Sequence, residues 1–196
     1  ASAEGFNVML FRSEESYEKE LKITESLINA RVAGVLASLS KETDRYEHYQ
    51  QILDNDIKLV FYDRICIGII TDRVVVDDYA GAFSAVEHLI STGCRRIAFY
   101  SSPLHLEISK NRRNGYLDAL RKNSIPVDES LIFVCDTREK AMELTPQVLS
   151  LPEPPDSFFA INDHTATGIL YAVKKAGLRV PEDISICGFS GGDLAL

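Results

Sequence analysis

The segment Gly188-Phe189-Ser190-Gly191-Gly192 has the G-x-S-x-G spacing that presents a nucleophilic serine in many hydrolases. Such a serine needs an acid and a histidine that follow it in the chain. Here all four histidines precede Ser190, and only Asp193 and three apolar residues follow the segment. Hydrolysis would require a histidine beyond Leu196. We therefore rank it below the two binding functions considered below and expect a protein that is not an enzyme.

The remaining reactive residue types show no spacing that holds a metal or a cofactor. No histidine lies in an H-E-x-x-H arrangement, and the chain has no glycine-rich loop of the P-loop or Rossmann type. The four cysteines are far apart in the sequence and form no C-x-x-C pair: Cys66, Cys94, Cys135 and Cys187. We therefore expect reduced cysteines that pack in the core, no metal and no cofactor.

The elements that would position any site alternate between short β-rich runs and longer segments with helical spacing. The predicted strands are 6–11, 35–38, 58–63, 74–76, 97–100, 131–135, 157–161 and 184–189. The predicted helices begin near Ser13, Thr43, Asp77 or Asp78, Ser109, the Asp136 and Glu139 pair, and Asn162 or Asp163. Apolar strands separated by helices predict an α/β fold with parallel sheets covered on both faces.

In such sheets, ligands bind beyond the carboxyl ends of the strands. The polar residues at those ends are Arg12, Ser38, Asp63, Arg64, Ser101, Asp136, Asn162, Asp163 and Ser190. Hydroxyl, amide and charged groups in a partly apolar cleft suit a small, hydroxyl-rich molecule. The topology alone therefore predicts a small-molecule binding protein.

The amino-acid composition limits the classes of partner that these residues can bind. Hydrophobic residues make up 45% of the 196 residues, which is enough for a core, and no apolar run is long enough to span a bilayer. The 21 Lys and Arg residues against 29 Asp and Glu residues give a net charge of −8. Such a surface repels polyphosphate, so we expect these residues not to bind nucleic acid themselves.

Several segments, taken in order, carry a family resemblance. They are 74–78 (VVVDD), 87–90 (EHLI), 93–99 (GCRRIAF), 112–120 (RRNGYLDAL), 162–166 (NDHTA) and 179–189 (RVPEDISICGF). In order and spacing they resemble the effector-binding domain of the lactose-repressor (LacI/GalR) family of bacterial transcription regulators. The resemblance covers nearly the whole chain and is densest from Asp63 to Phe189.

The resemblance implies a type I periplasmic-binding-protein-like fold, with two doubly wound subdomains around a ligand cleft. Residues 1–76 would form part of the N-terminal subdomain and residues 77–196 the C-terminal one, in a chain truncated at both ends. The implied parent is a cytoplasmic homodimer that binds operator DNA through a helix-turn-helix before Ala1. A sugar-like effector would control that binding. The alternative is an extracytoplasmic solute-binding protein of a transporter or receptor, which shares this fold.

The resemblance and the strand ends together give the candidate effector-binding residues: Asp63, Arg112, Asn162, Ser190, Asp136 and Ser38, followed by Arg64, Asp163, Asp193 and His164. Four keep an alternative structural explanation. Asp63 could cap a turn and Arg112 could lie in solvent, while Asn162 and Asp136 could each be a helix cap. The resemblance implies that Arg112 contacts the ligand. We therefore expect that replacing Arg112 with alanine weakens ligand binding without unfolding the domain. Ser190 replaces a family aspartate, which weakens the assignment to a typical hexose.

Overall fold

The structure, a computed structural model, describes residues 4–192. The chain divides into two compact units, Ala1–Val76 and Asp77–Leu196, each with its own parallel sheet. The predicted α/β class with parallel sheets is therefore confirmed. No helix among the described residues is both long enough and apolar enough to cross a membrane.

The first unit contains three strands in the order β1-β2-β3, which are β1 Gly34–Ala37, β2 Lys58–Tyr62 and β3 Asp72–Val74. Its helices are α1 Tyr17–Asn29 and α2 Glu47–Asp54. Leu59 and Phe61 of the central strand point into a core with Tyr49 and Ile52 of α2. The prediction that both faces are covered is wrong for this sheet, because its other face is exposed, including the apolar side chains of Leu36, Tyr62 and Val74.

The second unit contains four parallel strands in the order β5-β4-β6-β7. The strands are β4 Ile97–Ser101, β5 Ile132–Val134, β6 Ser157–Ala160 and β7 Ser185–Cys187. The helices are α3 Asp78–Ser91, α4 Glu107–Lys122, α5 Arg138–Leu149 and α6 Asp163–Lys175.

Helices cover both faces of the second unit's sheet. Alternate residues of its strands point to opposite faces and pack against different helices. Phe99 and Phe159 pack with residues of α3 and α4 in one core cluster. Tyr100 and Phe158 pack with residues of α5 and α6 in another. All residues of β4 and β6 are buried, as the continuous apolar runs predicted.

The predicted strand at residues 6–11 is wrong. The segment has no strand structure, and five of its apolar side chains are exposed. A strand forms by hydrogen bonding to a neighbour, and no described strand pairs with this segment. The strand predicted at 74–76 is displaced, since β3 ends at Val74.

Four predicted helix starts are also wrong. Helix α1 begins after Ser16, not Ser13, and Ser16 accepts a hydrogen bond from Lys19 N. Thr43 does not cap α2, because its hydroxyl donates to the buried carboxylate of Glu20. Ser109 lies inside α4, which begins two residues earlier. The cap of α5 is Thr137, whose hydroxyl accepts from Lys140 N, in place of the predicted pair of acidic residues.

Candidate ligand-binding site

The carboxyl edge of the second unit's sheet brings together the polar residues that follow its four strands. Ser102 follows β4, Asp136 follows β5 and Asn162 follows β6, while Ser190 lies in the loop after β7. Arg112 of α4 reaches the same edge and donates a hydrogen bond to the carbonyl of Ile161. The edge is therefore a cluster built from four strand ends and one helix.

Arg112 is held in a buried ion pair. Its side chain is 8% exposed, and its Nε and Nη2 atoms lie 2.8 and 2.7 Å from Oδ1 of Asp78, itself 5% exposed. The guanidinium carbon lies 3.7 Å from the centre of the Phe189 ring, which adds a cation–π contact. The arginine is thus a structural group of the second unit, whatever it also contacts. Its burial contradicts the solvent-exposed alternative and indicates that its loss would destabilise the fold.

Two glycines create the space for this arrangement. A Cβ atom on Gly115, one turn after Arg112, would lie 2.4 Å from the carbonyl oxygen of Tyr79. Helices α3 and α4 can therefore approach closely only with glycine there, which brings Arg112 to Asp78 at the start of α3. Similarly, a Cβ on Gly81 would lie 2.7 Å from the Phe189 ring. Glycine at these two positions therefore allows α3, α4 and Phe189 to pack closely around Arg112.

Asn162 has the capping role that the sequence left open. Its side-chain oxygen accepts a hydrogen bond from Thr165 N at 2.8 Å and so caps α6. Its amide nitrogen donates to the carbonyl of Asp136 at 3.3 Å, which ties the ends of β5 and β6 to α6. An amide group has two N–H donors, and this bond uses one of them. Capping therefore leaves Asn162 able to donate to a ligand.

Asp136 is buried and its carboxylate accepts a hydrogen bond from Nζ of Lys140 at 2.9 Å. The same contact raises the pKa of Lys140. Burial, together with this nearby carboxylate, raises the pKa of the adjacent Cys135 thiol to about 12. Cys135 is consequently a neutral packing residue at ordinary pH, in keeping with the expected role of the cysteines.

Asp163 positions the loop that carries Ser190. Its Oδ2 atom accepts a hydrogen bond from Gly192 N at 3.0 Å, and a Cβ on Gly188 would lie 2.4 Å from its Oδ1 atom. Ser190 is exposed, and its hydroxyl donates to the carbonyl of Phe189. His164 is also exposed, in the first turn of α6. Asp193, the last candidate here, lies outside the described residues.

In the first unit, Ser38 and Asp63 follow the adjacent strands β1 and β2. A hydrogen bond of 3.1 Å from Leu39 N to the carbonyl of Arg64 joins the two strand ends. Asp63 is exposed and has a φ of 56°, a left-handed conformation that Asp and Asn tolerate better than most residues. It is therefore a strand-end turn residue whose carboxylate faces solvent, where a ligand can reach it.

The other first-unit candidates have different surroundings. The Arg64 guanidinium donates to both carboxylate oxygens of Glu15 and to the carbonyl of Leu39, so it ties α1's preceding loop to the strand end. Arg12 is exposed. Ser38 lies at the rim of an apolar cavity of about 780 Å³ inside the first unit, lined by residues of α1, β1 and the segment 6–11.

Sequence reasoning missed two residues of the second unit's edge, Asp78 and Phe189, as partners of Arg112. A usable signal was present, since Asp77 and Asp78 stand together at a helix start and only one can be the cap. Asp77 is that cap, accepting from Ala80 N at 2.9 Å. A second carboxylate that turns inward needs a buried cation. Among the described residues, no group of three or more His, Cys, Asp or Glu side chains could hold a metal ion.

Comparison with known proteins decides the family. The periplasmic binding protein-like domain matches residues 86–195, more than half of the chain. The chain belongs to this family. The HTH-type transcriptional repressor PurR of Vibrio atlanticus is 31% identical over 198 residues, covering 98% of this chain and 58% of PurR.

Solved structures agree with this assignment. The transcription regulator CcpA of Lactococcus lactis superposes with a TM-score of 0.85 at 25% identity, covering 94% of this chain and 67% of that one. The complex of the transcriptional regulator CelR with cellobiose superposes with a TM-score of 0.81 at 28% identity, covering 92% and 55%. The resemblance to LacI-family regulators is thereby confirmed, and the periplasmic binding protein-like domain corresponds to their effector-binding part. The chain spans little more than half the length of the curated PurR relative it matches.

Proposed function

We propose that this periplasmic binding protein-like domain senses a small polar effector, a sugar or a sugar derivative, for a DNA-binding transcriptional regulator. The effector would contact the carboxyl edge of the second unit. Asp63 and Ser38, which follow strands of the first unit, stay candidate contacts predicted from the sequence. Operator DNA would be bound by a helix-turn-helix outside these 196 residues. The parent would act as a cytoplasmic homodimer without enzymatic activity.

The observation that carries this proposal is the second unit's edge itself. Strand ends and α4 converge there with the amide of Asn162 and the guanidinium of Arg112, which lies over the Phe189 ring. Hydrogen-bonding groups at a partly apolar edge suit a sugar ring, which has apolar C–H faces and polar edges. The repressor and regulator names of the relatives favour this function over the solute-binding alternative, and the cellobiose bound by CelR favours a saccharide.

A conformational equilibrium supplies the control of DNA binding. An effector shifts such an equilibrium only by as much as its affinities for the two states differ. The effector would therefore have to make different contacts in the two states. We therefore expect effector binding and operator binding by the complete protein to change each other's affinity by the same factor.

The test is a thermal-shift and calorimetric screen of the complete protein against neutral sugars and sugar phosphates, followed by two variants. Asn162→Ser keeps a good helix cap but loses the amide donor, and Asp63→Asn keeps the left-handed backbone but loses the charge. Both should weaken effector binding at least about tenfold, the loss expected for a charge-assisted or buried hydrogen bond.

The matched control for Asp63→Asn is Asp56→Asn, at another exposed aspartate with positive φ, 59°, in the same unit. It should leave affinity unchanged. Equal affinity in wild type, Asn162→Ser and Asp63→Asn would refute the assigned site, and the absence of any sugar ligand would refute the proposed effector class.

A further inference from the structure

The ion pair between Asp78 and Arg112 bears on which ligands the second unit's edge accepts. A guanidinium group has five N–H donors. Those on Nε and Nη2 are directed to Oδ1 of Asp78, at 2.8 and 2.7 Å, and one on Nη1 is donated to the carbonyl of Ile161. Three donors are therefore used within the unit. The Nε/Nη2 side of the guanidinium, one of the two sides that can form a fork with a carboxylate or phosphate, is taken by Asp78.

The charges along this edge are also compensated from within. Lys140 pairs with Asp136 at 2.9 Å, as Arg112 pairs with Asp78. The Asp163 carboxylate accepts from the backbone of Gly192 and adds a negative charge. Two cations and three carboxylates leave these five groups with a net charge of −1. An anionic ligand group arriving here would meet no uncompensated cation among these five described groups and would lose its own hydration.

We propose that Asp78 is a specificity residue, which makes this edge accept uncharged, hydroxyl-bearing ligands and exclude their carboxylated or phosphorylated counterparts. A hydroxyl oxygen needs only single hydrogen bonds, such as those from the remaining N–H groups of Arg112 and Asn162, and brings no charge of its own. The inference rests on the proposed function, since it takes this edge to be where the ligand binds. It adds to that function the residue that sets the charge of the ligand.

The variant Asp78→Asn tests the proposal with inorganic phosphate as the probe. The amide oxygen can still accept from Arg112, but the compensating charge is gone. We expect the complete protein to gain affinity for phosphate by at least about tenfold over wild type, and added salt should reduce the gain. Asp118→Asn is the matched control, because it removes one charge from the same unit at a surface ion pair with Arg121. It should gain nothing.

A double variant, Asp78→Asn with Arg112→Gln, shows whether the gain belongs to this site, since it should lose the phosphate affinity that the single variant gained. Should Asp78→Asn fail to fold, wild type decides the question with matched pairs, D-glucose against D-glucose 6-phosphate and cellobiose against cellobionate. The neutral member should bind at least about tenfold tighter. Millimolar or tighter binding of phosphate by wild type, lost with Arg112→Gln, would overturn the proposal, and weaker binding supports it.

The two proposals fail in different ways. If Asp78→Asn gains phosphate while no neutral sugar binds either protein, the saccharide effector is wrong and the role of Asp78 stands. If a neutral sugar binds but folded Asp78→Asn gains no phosphate, the effector class stands and the role of Asp78 is wrong. An anionic sugar that wild type binds as tightly as its neutral counterpart also overturns the role of Asp78.

Discussion

At the scale of single residues, Arg112 combines a proposed binding role with a structural one. Replacing it with alanine leaves the buried Asp78 carboxylate without its cation. Breaking a buried pair in this way costs about 3–5 kcal/mol. We therefore predict that Arg112→Ala loses stability by about this amount in urea unfolding, in addition to any loss of ligand affinity.

The neighbouring Arg113→Ala is the control for that measurement. Arg113 pairs with Glu129 at 3.0 Å, but the glutamate is 66% exposed, and such surface pairs contribute about 1 kcal/mol or less. Equal unfolding midpoints for the two variants would show that the buried pair does not stabilise the second unit. The resemblance selected Arg112, but its charge partner on α3 lies 34 residues away, where the Asp77-Asp78 pair alone pointed to a carboxylate that turns inward.

Gly115 gives a second prediction at the same scale. Glycine to alanine in a helix ordinarily stabilises a protein by about 0.5–1 kcal/mol. At Gly115 the new methyl group would lie 2.4 Å from a backbone oxygen of α3, so the helices must separate. We expect Gly115→Ala to destabilise by about 1–3 kcal/mol, measured by urea unfolding.

The exposed neighbour Asn114→Ala should be neutral or slightly stabilising, because it changes the same helix away from α3. A Gly115→Ala variant as stable as Asn114→Ala would mean that the close approach of α3 and α4 is not needed to place Arg112.

At the scale of elements, a buried carboxylate connects three pieces of the first unit. Glu20 of α1 accepts from Ser40 N at 2.7 Å, from the Thr43 hydroxyl at 2.7 Å and from Nε2 of His48 at 2.8 Å. Burial acts to raise the pKa of Glu20, but these hydrogen bonds outweigh it and hold the pKa below its usual value of 4.5. The loop after β1, which begins with the candidate Ser38, is thereby fixed to α1 and α2.

The lowered pKa of Glu20 determines how the stability of the first unit depends on pH. A carboxylate whose pKa is lower in the folded than in the unfolded state stabilises the fold above the unfolded pKa. It loses this effect as the pH falls through the folded one. We expect Glu20→Gln to cost about 1–3 kcal/mol at neutral pH. The difference from wild type should shrink as the pH falls below about 4.5.

Urea unfolding between pH 7 and pH 3.5 measures this difference, with the exposed Glu18→Gln of the same helix as the control of equal charge. A difference that stays constant with pH would show that the ionisation of Glu20 does not stabilise the first unit.

The elements also show what the sequence could and could not predict. The strands of the second unit were predicted to within two residues at either end. In β4 and β6 full burial makes the apolar runs continuous. The segment 6–11 has the same apolar character, yet strand structure depends on a partner that the sequence of the segment does not contain. Helix caps failed where a hydroxyl had a stronger partner elsewhere, as Thr43 has in Glu20.

At the scale of the whole molecule, the two units supply separate groups of candidate residues, and the sequence predicted most of them from strand ends. Asp136 and Asn162 are joined by a hydrogen bond, and Arg112 contacts the carbonyl of the residue before Asn162. The carboxyl ends of parallel strands meet at one edge of the sheet, so the order of the strands in the chain was enough to predict that Asp136 and Asn162 lie together. The compensation of charge at this edge could not be predicted, because it depends on which side chains turn inward.

The net charge of these 196 residues bears on whether they bind DNA in isolation. With 21 basic and 29 acidic residues the surface repels DNA phosphates. We predict that the isolated chain causes no shift of operator DNA in a mobility assay at physiological salt, whereas the complete protein does. Added effector should change the complete protein's shift and leave the isolated chain's lane unaltered. A salt-sensitive shift by the isolated chain would mean that a basic surface exists within this domain, against the net charge of −8.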